Sequence, residues 1–164
     1  MISIRPAQAY DEPFLWRMLY VAAHMADDND PFESIFEHPS LARYVKGWPR
    51  KGDVGVVALD TQSGRSIGAA WFRLLIGQEK DCGYVDDTTP QMALAVEPAW
   101  QRRGVGALLV QGLLEAAKPL YTQVALTVRQ DNPASALYLR MGFVSHTEVV
   151  NRVGTNSSLM LYRY

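Results

Sequence analysis

Leu94-Ala95-Val96-Glu97-Pro98-Ala99-Trp100-Gln101-Arg102-Arg103-Gly104-Val105-Gly106-Ala107-Leu108-Leu109 is the stretch whose reading decides this chain. An apolar run ends at Val96, Pro98 stops it, and a loop with two glycines enters a second apolar segment, so the pattern predicts strand, turn and helix. The first turn of a helix has backbone N–H groups with no intrahelical acceptor, and the helix dipole adds positive potential there. Such a turn attracts anions. Gly104 and Gly106 carry no side chain to hold a phosphate away from those amides, and Arg102 and Arg103 add cationic charge. The residues read as a cradle for a pyrophosphate.

Two common glycine loops fail on residues. A Walker loop needs lysine and then Ser or Thr after its last glycine, whereas Ala107-Leu108 follows Gly106. A dinucleotide fingerprint needs glycine or alanine three places after the second glycine, and that place is Leu109.

Outward from this stretch, Leu108, Leu109, Leu113, Ala116 and Ala117 predict an amphipathic helix from Gly104 to Lys118, ended by Pro119, with Gly112 allowing close approach to a sheet. Thr122 to Arg129 alternates as a strand, with Val124, Leu126 and Val128 on one face. Asn132-Pro133 opens another helix and Gly142 closes it. Phe143–Val150 and Ser158–Tyr164 read as a closing strand pair. Upstream, Ile2-Ser3-Ile4 is a short edge strand, a helix runs from Asp11 to about Met25 or Ala26, and a second spans Pro39 to Lys46. Val54–Leu59 and Ser66–Ile76 form a hairpin around the turn-rich residues 60–64, residues 77–89 are a loop, and Gln91–Val96 is the next strand. The strand–helix–strand unit over 91–129 favours a parallel pair, and the hairpins favour antiparallel pairing elsewhere.

The 164 residues are 48% hydrophobic and 20% charged, which fits one domain over residues 1–164 with its own core. Net charge is −1, so no basic excess points to nucleic acid, and no apolar window is long enough for a membrane span. The start, Met1 to Pro6, lacks the features of a secretory signal, and Cys82 is the only cysteine, so the expected setting is the cytoplasm. The histidines at 24, 38 and 146 have no metal-ligand spacing, and no metal is expected. Asp27-Asp28-Asn29-Asp30 lacks the glycine and glutamate of a calcium loop and reads as a solvated loop or a wall for a cationic substrate. Phe32, Phe36, Tyr44 and Trp48 read as packing of short helices on the sheet, or as the lining of an acceptor pocket. Cys82 reads as incidental.

The match that succeeds is Gln-x-x-Gly-x-Gly at Gln101, Gly104 and Gly106, between a strand and a Leu-Leu helix. It resembles the central cofactor-binding motif of the GNAT superfamily of N-acetyltransferases. Asn132-Pro133-Ala134-Ser135-Ala136-Leu137-Tyr138-Leu139-Arg140-Met141-Gly142-Phe143 is similar to the family's Asn…Leu-Tyr-x-x-x-Gly-Phe helix. The two motifs stand in the family's order with one strand between them.

The resemblance implies a mixed, mostly antiparallel α/β fold: a seven-stranded sheet, splayed between its fourth and fifth strands, with about four helices. It implies acetyl-CoA as co-substrate and a primary amine as acceptor, on a small molecule or, alternatively, on a protein lysine or N-terminus. A chain keeping the fold as a non-catalytic acyl-CoA-binding module is the reading from another class. The pantetheine arm would lie along Leu94, Ala95 and Val96. The pyrophosphate would lie at Gln101, Arg102, Arg103, Gly104, Val105, Gly106 and Ala107, with Asn132 near the pantetheine or the acyl sulfur. The amine would attack the thioester directly, with the Val96 N–H polarising the carbonyl and Tyr138 as general acid. Glu97 and Asp86 are candidate bases, and His24, Asp27, Asp28 and Asp87 stand near the expected acceptor pocket. Many relatives are dimers; a homodimer is one assembly the resemblance allows, and no residue selects it.

Overall fold

The computed structural model describes residues 1–164. Seven strands, β1 (Ile2–Pro6), β2 (Val54–Asp60), β3 (Ser66–Arg73), β4 (Gln91–Val96), β5 (Gln123–Arg129), β6 (Val144–Val150) and β7 (Asn156–Arg163), form one sheet in the order β1-β2-β3-β4-β5-β7-β6. Four α-helices accompany it: α1 (Glu12–Ala22), α2 (Pro39–Ala42), α3 (Val105–Ala117) and α4 (Ala134–Arg140). Every neighbouring pair is antiparallel except β4 and β5, which are parallel and joined through α3. That pair shares one register position, Gln91 with Ala125, whereas β5 and β7 share seven. The sheet is therefore splayed between its fourth and fifth strands, and the expected architecture holds.

The two faces carry separate cores. On one, α3 and α4 bring Leu109, Leu113, Tyr138 and Phe143 onto Val56, Phe72, Leu126 and Met160. Gly112 allows the close approach of α3, since a Cβ there would stand 3.1 Å from Ile4 Cγ2. On the other face, α1 and the short turns after it bring Leu15, Met18, Leu19, Met25 and Ile35 onto Val57, Ala69 and Trp71. Strand β3 is buried on both faces, which explains its nearly continuous apolar run. No helix is long and apolar enough to cross a membrane.

Some boundaries differ from the sequence pattern. Helix α1 ends at Ala22 rather than near Met25 or Ala26, because His24 takes a left-handed backbone with φ +56°. Met25 is nevertheless fully buried, so its apolar signal belongs to the core and not to the helix. The second helix is α-helical only over Pro39–Ala42 and continues as turns to Gly47 at φ +74°. Strand β3 stops at Arg73 instead of Ile76.

Arg73 ends the strand inside the protein. Its guanidinium is wholly buried, donates to Asp53 Oδ1 at 3.0 Å and Oδ2 at 2.6 Å, and holds the carbonyls of Arg43 and Lys46 at 3.1 and 2.7 Å. Asp53 is 1% exposed, so removing either partner would leave an uncompensated buried charge. Asp53→Ala is expected to lower unfolding stability by about 3–5 kcal/mol in a urea titration. An unchanged midpoint would mean that water or another group replaces the carboxylate.

Candidate active site

Strand β4 can hydrogen-bond on only one side beyond its first residue. The Glu97 N–H donates to the Ile67 carbonyl at 2.8 Å, and Ala95 and Ala93 stand opposite Ala69 and Trp71. Backbone groups of these odd-numbered residues therefore face β3, and those of Met92, Leu94 and Val96 face β5. The bond from the Ala125 N–H to the Pro90 carbonyl, 3.0 Å, obeys the same parity and marks where the strands part. Beyond it, the N–H and C=O of Leu94 and the N–H of Val96 open into the gap. The Val96 carbonyl is taken by Gln101 Nε2 at 3.0 Å. Leu94 and Val96 thus offer backbone groups where the sequence reading put the pantetheine arm. Ala95 corrects that reading: its backbone faces β3 and its side chain is buried in the core under α1. Gln101 ties the loop to β4 instead of reaching outward.

The loop between β4 and α3 presents six consecutive N–H groups, Arg102 to Ala107, with no protein acceptor. Arg102 and Gly104 have φ of +63° and +81°, and no side chain caps α3. The alternation turns successive N–H groups toward one concavity, an anion-binding arrangement. Nothing lies within 4 Å of where a Cβ on Gly104 would stand. Arg103 lies over the Trp100 ring at 4.9 Å, which orients its charge beside the loop. Unpaired N–H groups, open space and cationic charge fit the pyrophosphate of a coenzyme. Gly106 has a further role, since a Cβ there would stand 3.2 Å from Leu137 Cδ2 on α4.

A cavity of about 430 Å³ passes through the gap between the strands. Met92, Leu94, Leu126, Val128 and Arg129 line it from the sheet, Asn132 and Tyr138 from the start and middle of the α4 segment, and His24, Arg43, Tyr44, Asp81 and Arg152 from other elements. Tyr138 is placed by the close of α4: the Phe143 N–H donates to the Tyr138 carbonyl at 3.0 Å, Gly142 takes φ +105°, and the two rings pack with centroids 6.0 Å apart. No protein group bonds the Tyr138 hydroxyl, yet it is not an orphaned buried atom, so it opens on the cavity. Burial pushes its pKa up to about 12.

Asn132 fixes a second unit. Its Oδ1 accepts the Ala134 N–H at 2.9 Å, so its amide nitrogen is the atom 3.2 Å from His24 Nε2. An amide N–H only donates, so Nε2 accepts and the imidazole proton sits on Nδ1, which faces Asp27 at 3.3 Å. His24 thus stands at the cavity wall between the Asn132 amide on Nε2 and the Asp27 carboxylate facing Nδ1.

A family model for the acetyltransferase (GNAT) domain matches residues 79–162, just over half of the chain. The chain belongs to the GNAT acetyltransferase family. Solved GNAT-like structures share its fold. One is an acetyltransferase-like protein of Salmonella typhimurium with its cofactor acetyl-CoA (20% identity, 99% of this chain and 94% of that one, TM-score 0.72). Another is the ribosomal-protein-S18-alanine N-acetyltransferase of Escherichia coli (20%, 99% and 94%, TM-score 0.67). A third is a GCN5-related N-acetyltransferase of Kribbella flavida (16%, 99% and 98%, TM-score 0.70). No curated protein sequence gives a significant match.

In this GNAT chain the two carboxylates expected as bases lie outside the cavity lining. Glu97 accepts two hydrogen bonds from Arg17, at 2.6 and 2.9 Å. Asp86 accepts from the Thr88 N–H and from both threonine hydroxyls at 88 and 89, and these bonds, the one from Thr89 foremost, hold it below its usual range. Asp87 accepts from Tyr84. Asp28 is held by Arg129 and Arg152, so it is no open wall for a cation. Tyr44 lines the cavity, and burial beside Asp81 pushes its hydroxyl well above the usual tyrosine range. Phe32 and Phe36 pack with Tyr20 and Trp16 elsewhere, and Trp48 packs on Trp71. Partial desolvation and nearby Asp81 push the Cys82 thiol up, away from a reactive thiolate.

The loop geometry separates the glycines by experiment. Gly104→Ala meets no protein atom, so it should weaken coenzyme A binding while costing only the backbone strain of about 1–2 kcal/mol. Gly106→Val should weaken binding and also lower stability by about 1–3 kcal/mol through Leu137. Calorimetry with coenzyme A and thermal melting together test this; full affinity in both variants would remove the loop as the phosphate site.

Proposed function

We propose that this GNAT protein transfers an acetyl group from acetyl-CoA to the primary amine of a small molecule. The observation carrying the reading is the cavity through the parted strands, with Asn132, Tyr138 and His24 on its wall, reached by the strand β4 that leads into the phosphate-type loop. Its walls come from α1, the α2 segment, the 80–82 loop and the β6–β7 connection, a pocket suited to a small acceptor more than a groove for a chain.

Acetyl-CoA supplies an activated acetyl thioester. The chain's own residues then have four tasks. The N–H groups of residues 102–107 hold the pyrophosphate, and Leu94 offers both backbone groups to the pantetheine amides. The Val96 N–H is free to bond the thioester oxygen as charge builds there. His24 Nε2, once the incoming ammonium displaces the Asn132 amide from its lone pair, takes a proton from that ammonium, with Asp27 stabilising the ring as it charges. Tyr138, kept protonated by burial, gives its proton to the departing sulfur and regains one from the nitrogen as the amide forms. One ammonium and one thioester yield one amide, one thiol and one proton. Holding both reactants in one pocket supplies much of the remaining rate.

Thiol release from acetyl-CoA across a panel of amino acids, polyamines, aminoglycosides, arylamines and peptides tests the reading, with a binding control. Saturable turnover of a small amine is expected; turnover of peptides alone would move the acceptor to proteins. Tyr138→Phe should lower kcat by about 10²–10⁴-fold if the hydroxyl serves the leaving sulfur. Without a base, only the free-amine fraction of an acceptor titrating near ~10 reacts. The His24→Ala rate should therefore climb about tenfold per pH unit from roughly pH 7 to 9, while the parent profile is flatter. Parallel profiles would take the base role from His24.

A further inference from the structure

The permanent charges on the cavity wall are unbalanced: Arg43, Lys80, Arg129 and Arg152 against Asp81 alone. Two of these cations are spent locally. Arg43 turns its guanidinium onto the carbonyls of Pro39, Glu79 and Lys80, and Lys80 Nζ lies 4.3 Å over the Tyr84 ring. Arg129 and Arg152 are different. Each places Nη2 on the same two acceptors, the Ala23 carbonyl at 3.3 and 3.1 Å and Asp28 Oδ2 at 3.1 and 3.2 Å. One carboxylate thus serves two guanidiniums, and the hydrogen bond from Arg129 foremost holds Asp28 below its usual range.

The donors left over matter more. Nε and Nη1 of Arg129 and Nε of Arg152 bond no protein group, and Nη1 of Arg152 has only Asp30 at 3.8 Å, beyond hydrogen-bond reach. Both side chains are about one-fifth exposed, so these donors are accessible. Adjacent planar guanidiniums with free N–H edges match a carboxylate or phosphonate-like anion. The coenzyme's pyrophosphate does not account for them, because its loop has Arg102 and Arg103, neither of which lines this cavity. Their position is also informative. The carbonyl that anchors both arginines belongs to Ala23, and the next residue is His24. An anion site and a proton acceptor one residue apart suit a molecule whose amine and anion are only a few bonds apart.

We propose that the acceptor is an amino-acid-like amine whose carboxylate, or equivalent anion, is bound by Arg129 and Arg152 while its amine faces His24. This rests on the acyl-transfer reading but is testable without turnover. The experiment is calorimetry on the full chain saturated with coenzyme A, using matched ligands: amino acids, their carboxamides, and the corresponding decarboxylated amines. Turnover with acetyl-CoA is followed in parallel. Some carboxylate ligand should bind about 10- to 100-fold tighter than its carboxamide, the range of a charge-assisted hydrogen bond. Arg152→Gln should erase that preference without changing affinity for coenzyme A. Asp28→Asn should move it the other way, strengthening carboxylate binding by freeing both guanidiniums, which a merely damaged fold would not do.

Equal or tighter binding of carboxamides or polyamines would overturn the proposal. So would a preference for a dicarboxylic acyl-CoA over acetyl-CoA that is lost in Arg152→Gln, since the anion would then arrive on the donor. Carboxylate-selective binding without any turnover would support the anion site and count against the acetyl-transfer reading instead.

Discussion

Strands β4 and β5 run parallel but share a single register pair, Gln91 with Ala125. A sheet interior that stops pairing leaves backbone N–H and C=O groups that must find partners or remain unsatisfied. The chain satisfies one of them itself, the Val96 carbonyl through Gln101, and leaves those of Leu94 open. The cavity passes through the same gap, and the loop that follows β4 presents its unpaired N–H groups at the adjoining helix start. Fold and binding site are thus one feature: the strand that parts from its neighbour is also the strand that delivers the loop.

Much of this was legible in the sequence because it is local. Glycines at 104 and 106, the stop at Pro98 and the apolar helix behind them lie within sixteen residues, and the α4 motif within twelve more. Backbone parity was legible only in part, since alternation distinguishes Leu94 and Val96 from Ala95 but not which set faces β3. The unit of Asp27, His24 and Asn132 was hidden by distance: His24 and Asn132 are 108 residues apart, and only the tertiary fold brings them to 3.2 Å. The left-handed turn at His24 that ends α1 has no glycine to announce it. Glu97 and Asp86 were attractive through nearness in sequence to the motif, yet their carboxylates are engaged by Arg17 and by two threonines.

The two ends of the cavity are built from different material. The end proposed for the coenzyme rests on β4, whose Met92 and Val96 are part of the apolar core beneath α3. The end proposed for the acceptor is assembled from the turn after α1, the α2 segment, the 80–82 loop and the β6–β7 connection, where polar bonds, among them those of Arg43 to Glu79 and Lys80 and of the arginine pair to Asp28, add to the buried Met25, Leu41 and Val45. Such bonds are specific in direction and modest in net stability. This division accords with the general rule that a fold does not fix its substrate.

Arg73 sets how that acceptor end is mounted. By holding the Arg43 and Lys46 carbonyls, it fastens the α2 segment to the end of β3 and not to either strand bordering the gap. The segment carrying Tyr44 is therefore registered to the β3 side of the cleft. On the other side of the gap, Arg129 at the end of β5 is tied instead to the turn after α1, through the Ala23 carbonyl and Asp28. Arg129 and the Tyr44 segment thus reach one cavity from separate mounts. A molecule touching both would itself bridge the gap that β4 and β5 leave open.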